Sequence, residues 1–158
     1  MAPGNITEDK KLKNYILIAS IAFFVLSLTQ KCYCTATACS DSIMAFLLGW
    51  AAILSGAGIS WIANPLLLVA WITLKKRLKL SMFLSMFATL LSLSFLLFDS
   101  VPDNENGGSH QVISYGAGYW LWISSTLTML VGTYALMLRY NTRRRKERID
   151  SSQQTFLH

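Results

Sequence analysis

Four long stretches of this chain carry no charged side chain: Tyr15 to Gln30, Ile43 to Leu74, Leu80 to Phe98 and Gln111 to Leu138. A helix that faces water on one side needs polar residues there, and these stretches show no sustained charged face. A helix that crosses a bilayer needs about 20 apolar residues, because a hydrocarbon core of roughly 30 Å is spanned at about 1.5 Å per residue. The four stretches reach or approach that length. Charged residues make up only 14% of the chain, against about 25% in an ordinary soluble domain. The sequence therefore argues for lipid as the solvent and against a soluble bundle.

The remaining charges give an orientation. Lys10, Lys11 and Lys13 precede the first stretch; Lys75, Lys76, Arg77 and Lys79 lie between the second and third; Arg139, Arg143, Arg144, Arg145, Lys146 and Arg148 follow the fourth. The other two connections hold Lys31 as their one base, together with Asp41, Asp99, Asp103 and Glu105. Short loops rich in Lys and Arg stay in the cytoplasm. The alternation fits four crossings with both termini cytoplasmic. Tyr15, Trp50, Trp71, Tyr115, Tyr119, Trp120, Trp122 and Tyr140 cluster near segment ends, where amphipathic rings favour the headgroup zone. The lysines before an apolar run and the small residues Ala36-Thr37-Ala38 have the look of a signal peptide, but Ala38 lies eight residues past Gln30. The first segment is read as an uncleaved helix.

The expected fold is all-α, a polytopic four-transmembrane-helix bundle. Residues 1–13 form a cytoplasmic segment, 14–139 the transmembrane domain with helices at about 14–30, 43–74, 80–98 and 111–139, and 140–158 a basic cytoplasmic tail. The second helix would measure about 48 Å if straight, longer than the core is thick, so it must tilt or kink. Asn64-Pro65 is the expected kink, since proline removes a donor and clashes with the preceding turn. It is read either as a static bend or as a broken helix lining a cavity. The connections Lys31–Ser42 and Asp99–His110 are expected to be external loops, the second a flexible acidic turn containing Pro102, Gly107 and Gly108.

Small residues recur at helical spacing: Ala52, Gly56, Ser60 and Asn64 in the second segment, Ser81, Ser85, Ala88 and Ser92 in the third, Ser124, Thr128, Gly132 and Ala135 in the fourth. Such stripes let helices approach closely and hydrogen-bond within lipid. They are read as packing faces, with a polar pore or self-association as the alternative. Helix one, rich in Ile, Leu, Phe and Val, is expected to sit towards lipid.

No charged residue lies near the centre of any segment, which argues against a proton relay. No nucleotide, hydrolase or metalloprotease motif occurs, and two histidines with three cysteines are too sparse for a standard zinc site. No catalytic residue, cofactor or metal is expected. Cys32, Cys34 and Cys39 fall in the first external loop, where disulfides persist. A bridge from Cys32 or Cys34 to Cys39 leaves one cysteine free or intermolecular. Four-helix quinone-linked thiol oxidases carry a CxxC pair there and a second pair in the next external loop; this chain has CxC and no cysteine in the second. The cluster Arg143-Arg144-Arg145-Lys146 is read as a stop-transfer anchor able to hold anionic lipid. Without an aromatic platform it is not read as binding nucleic acid.

The stretch Leu47-Leu48-Gly49-Trp50, then Trp61-Ile62-Ala63-Asn64-Pro65-Leu66-Leu67-Leu68 and Trp71, with Gly118-Tyr119-Trp120-Leu121-Trp122 opening the last helix, resembles small uncharacterised bacterial membrane proteins. The resemblance covers roughly half of the chain. It implies a four-helix inner-membrane architecture and carries no activity. Three functional readings follow: a non-catalytic membrane protein associating with itself or a membrane partner in an accessory, immunity or assembly role; an oligomeric channel or small-solute transporter with Asn64-Pro65 on the path; and a thiol-redox enzyme using the three cysteines.

Overall fold

The computed structural model describes residues 3–36, 38–53, 56–102 and 109–155, which are mostly helical but also form a four-stranded sheet. Helix α1 is Pro3–Leu28, α2 Ser42–Leu48, α3 Ala63–Thr73, α4 Leu78–Ser94 and α5 Ala117–Thr155. Three stretches, Glu8–Leu28, Leu78–Leu97 and Ala117–Ile149, are long and apolar enough to cross a membrane. The all-α expectation accounts for these helices and misses the sheet.

Both terminal helices overrun their expected limits. α1 begins within the 1–13 segment, and α5 runs for 39 residues through most of the 140–158 tail. Residues 140–155 contain no glycine or proline and are rich in Arg, Lys, Glu and Gln, so nothing local stops the helix where the apolar stretch ends. The two extensions are joined: the Arg143 guanidinium grips both oxygens of the Asp9 carboxylate, Nη2 to Oδ1 at 3.1 Å.

The connections expected to be loops contain strands, and residues 111–115, expected to open the last helix, are a strand too, so that helix starts later at Ala117. β1 (Lys31–Thr35) pairs antiparallel with β2 (Cys39–Asp41), and β3 (Ser100–Pro102) with β4 (Ser109–Tyr115). β1 also pairs with β4, giving the order β2-β1-β4-β3. Residues 103–108, with Gly107 and Gly108 of the expected acidic turn, lie outside the described residues. One sheet thus gathers the end of α1, the start of α2, the end of α4 and the start of α5. Residues 74–77 join α3 to α4 at their other ends. Gly116 lets β4 turn into α5: a Cβ there would run into the Lys31 carbonyl, and the Gly116 amide donates to Cys32 O at 2.8 Å.

The second charge-free stretch is not one helix bent at proline. α2 gives way to 3-10 turns at Gly49–Ala52 and Gly56–Ile62 before α3 begins. Glycines at 49, 56 and 58 weaken the helix there. Asn64-Pro65 falls in the first turn of α3, where a missing amide hydrogen costs nothing; proline starts a helix here and does not kink one. A backbone carbonyl at the end of α2 is satisfied across the break, since Trp61 Nε1 donates to Phe46 O at 2.7 Å.

α5 is packed between α1 and α4, and α3 lies on α4. Hydroxyls join them. Ser20 and Ser125 each donate to the other's carbonyl, at 2.9 and 2.8 Å, and Trp71 Nε1 donates to Ser20 Oγ at 2.9 Å. Ser81 Oγ donates to Ala70 O at 2.8 Å. Ser85 meets Thr133, and Ser92 meets Thr126, both at 3.3 Å. α1 packs inward through Ile16, Ser20, Phe24 and Ser27 while Ile18, Val25 and Leu26 are exposed, and it is the least buried of the three long apolar helices.

Candidate functional site

A cavity of about 280 Å³ lies between the sheet and the break in the second apolar stretch. The end of α1 contributes Phe24 and Ser27, and β1 contributes Cys32 and Tyr33. Ser42, Ala45 and Phe46 come from α2, Ser60 and Trp61 from the second 3-10 turn, Asn64 from α3, and Gly118, Tyr119 and Trp122 from α5. The sheet roofs the cavity. β1 loses register with β2 between Lys31 and Tyr33, and an extra residue in a strand re-aims a side chain. Cys32 and Tyr33, adjacent in sequence, therefore both pack inward against Ala57, Phe95, Tyr119 and Ile123.

Most polar groups in the wall are already bonded. Ser27 Oγ donates to Phe24 O at 2.6 Å and Ser60 Oγ to Ala57 O at 2.7 Å. Trp61 is held by Phe46 O, and Tyr119 Oη donates to Ser92 O at 2.9 Å. Trp122 Nε1 donates to Asn64 Oδ1 at 2.9 Å. An indole nitrogen can only donate, so that bond fixes which end of the Asn64 amide is oxygen. Its Nδ2 then donates to no group among the described residues. Ser42 Oγ is buried and meets no oxygen or nitrogen partner among the described residues; the Cys32 thiol is its neighbour.

The wall is electrically neutral. No Asp, Glu, Lys, Arg or His is among the described lining residues. Burial pushes the Cys32 thiol up to about 11, and the neighbouring Ser42 hydroxyl offsets only part of that, so the thiol stays protonated at neutral pH. Above the cavity, burial and then the Asp99 carboxylate raise the Tyr115 phenol.

The residues singled out from sequence divide accordingly. Asn64 lies on the cavity and also bonds α5; Pro65 only opens α3. Cys34 and Cys39 form the disulfide, standing opposite each other on β1 and β2 with Cα atoms 4.0 Å apart, and Cys32 is free. Ser81, Ser85, Ala88 and Ser92 form the buried face of α4. Ser60 is buried beside the cavity; the side chains of Ala52 and Gly56 lie outside those described. On α5 the buried row is Ser125, Thr126, Met129, Thr133 and Leu136, so the expected row is turned aside: Ala135 is exposed, and Ser124 and Thr128 bond their own helix at Trp120 O and Ser124 O. Gly132 does serve a contact, because a Cβ there would press into Ile16. Arg144, Arg145 and Lys146 are exposed; Arg143 is spent on Asp9, and Arg144 stacks over Tyr140 at 4.9 Å. Ser42 had no distinguishing signal in sequence. The glycine pair 116 and 118 did, since both sites need the close approach of a neighbour: a Cβ on Gly118 would strike Ser42 Oγ and come within 2.8 Å of Lys31 O.

Together these features define a helical chain with three helices able to cross a membrane, closed at one end by a small sheet over a neutral cavity. No family model, curated protein or solved structure matches it.

Proposed function

We propose that this chain is a non-catalytic protein of the bacterial inner membrane that holds a small molecule in the cavity beneath its sheet. In this reading the broken α2–α3 stretch is a fourth crossing, the sheet lies on the outer face, and both termini are cytoplasmic. Lipid is its solvent, and no cofactor is needed. One observation carries the reading: Ser42 Oγ, which has no oxygen or nitrogen partner among the described residues, and Asn64 Nδ2 lie on one neutral, mostly apolar cavity. Sites for small molecules are concave, mostly apolar and furnished with a few such groups. This is closest to the solute-handling reading of the sequence.

Association with itself or another membrane protein has less support, because the hydroxyls of α4 and α5 bond one another inside the chain. A thiol-redox role has less support still. Two of the three cysteines are already joined, and the third thiol is partly buried and protonated.

The test is native mass spectrometry of protein released gently from its membrane, comparing wild type with Ala45→Phe. Ala45 lines the cavity from the partly exposed helix α2, so the added ring fills the space without entering the helix core. Wild type should carry a small bound mass that the variant lacks. Bare protein in both, with equal thermal stability before and after lipid extraction, defeats the reading.

A further inference from the structure

We infer that the occupant of this cavity is an uncharged carbonyl compound with a compact apolar body, held by the Asn64 amide and the Ser42 hydroxyl as hydrogen-bond donors. The inference rests on the small-molecule reading above and adds the chemistry of the ligand.

Charge is decided first. An ionised ligand would leave water for a wall with no counter-charge among the described residues, and an unpaired buried ion is costly. Size comes next. A cavity of about 280 Å³ falls just below the roughly 300–1,000 Å³ of small-molecule sites. Benzene fills an engineered cavity of about 150 Å³, so a ring with short substituents fits and a whole lipid does not. Phe24, Phe46, Trp61 and Phe95 offer ring surface to such a body. The polarity of the site is the third and most specific feature. The wall carbonyls of Phe24, Ala57 and Phe46 already accept from the hydroxyls of Ser27 and Ser60 and the indole of Trp61, and the Tyr119 hydroxyl is spent on Ser92 O. The group of fixed polarity is the Asn64 Nδ2, which can only donate and is oriented by Trp122; the Ser42 hydroxyl can donate alongside it. An oriented donor calls for a ligand that accepts, and a carbonyl oxygen has two lone pairs, one for the Asn64 amide and one for the Ser42 hydroxyl.

A carbonyl of this kind comes from two sources, a ketone dissolved in the membrane or the ester group of a lipid reaching in. Both are tested with full-length protein in nanodiscs by ligand-observed NMR, with binding to empty nanodiscs subtracted. The probes are acetophenone, ethylbenzene, which has the same shape without the carbonyl, and benzoate, which is charged. In ether-linked lipid, acetophenone should bind about tenfold tighter than ethylbenzene, the factor for about 1.4 kcal/mol, and benzoate should not bind. Ser42→Ala and Asn64→Leu should each erase most of that preference while leaving ethylbenzene unaffected; Ser42→Ala serves if Asn64→Leu fails to fold. Repeating the titration in ester-linked lipid separates the sources: weaker acetophenone binding there identifies the lipid ester as the natural occupant, and equal binding identifies a free ketone. If ethylbenzene matches acetophenone and both are excluded by Ala45→Phe, the carbonyl assignment falls while the cavity reading stands. If no probe binds and Ala45→Phe changes nothing, the cavity reading itself falls.

Discussion

Replacing Ser42 by alanine should make the empty protein more stable, which is the reverse of what most buried substitutions do. Ser42 is 7% exposed, and its Oγ is the one buried side-chain atom among the described residues without a hydrogen bond. Taking a hydroxyl out of water without a partner costs about 1–3 kcal/mol on mutational scales. Alanine removes that cost, and the one neighbour it deprives is the Cys32 thiol, a weak hydrogen-bonding group that is protonated at neutral pH. The loss of one oxygen beside an existing cavity sacrifices little packing. The expected gain is about 1–2 kcal/mol, or very roughly 2–8 °C in midpoint at about 2–4 °C per kcal/mol for a chain of this size. The assay is thermal unfolding of delipidated protein in detergent, followed by tryptophan fluorescence. The same variant should gain less than wild type from added acetophenone, because the donor that meets the carbonyl is gone. A midpoint below that of wild type would refute the reasoning: the hydroxyl would then be holding structure and would not be free for a ligand.

Two other perturbations have signs fixed by the structure. The Cys32 thiol rises from its ordinary 9.0 to about 11 on folding, so below pH 9 it is protonated in both states, and between about 9 and 11 the unfolded chain alone loses the proton. Stability contributed by the neutral thiol is therefore full below pH 9 and falls through that window, by at most about 3 kcal/mol at about 1.36 kcal/mol per unit. Cys32→Ala should flatten this part of the stability–pH curve relative to wild type in alkaline unfolding titrations, and an unchanged slope would contradict the burial argument. Opening the Cys34–Cys39 bridge, which spans a sequence separation of 5, should cost about 2 kcal/mol by the loop-closure relation. Cys34→Ser compared with wild type in the absence of reductant measures this, and added reductant should shift wild type but not the variant.

The apolar helices were legible in the sequence because the length of an uncharged run is a local property and the bilayer sets a minimum for it. The α4 face was legible for the same kind of reason. Ser81, Ser85, Ala88 and Ser92 are the small residues on one side of an otherwise bulky helix, so only one row could pack closely. On α5 two hydroxyl rows stand one position apart, Ser124 with Thr128 and Ser125 with Thr126 and Thr133. Their spacing is equally helical, and only the positions of Ser20 on α1 and Ser85 on α4 selected the second. Asn64-Pro65 marked the right region but the wrong event, because proline's effect depends on whether a helix has already begun before it. The sheet could not be read locally. Strands of three to seven residues carry little periodicity, and β1 finds β4 about eighty positions further along the chain. The cavity depends on that pairing, on the register shift that turns Cys32 inward, and on α5 placing Trp122 against Asn64. Composition decided how far each segment could extend through oil; the meeting of distant segments decided which polar groups were left without partners.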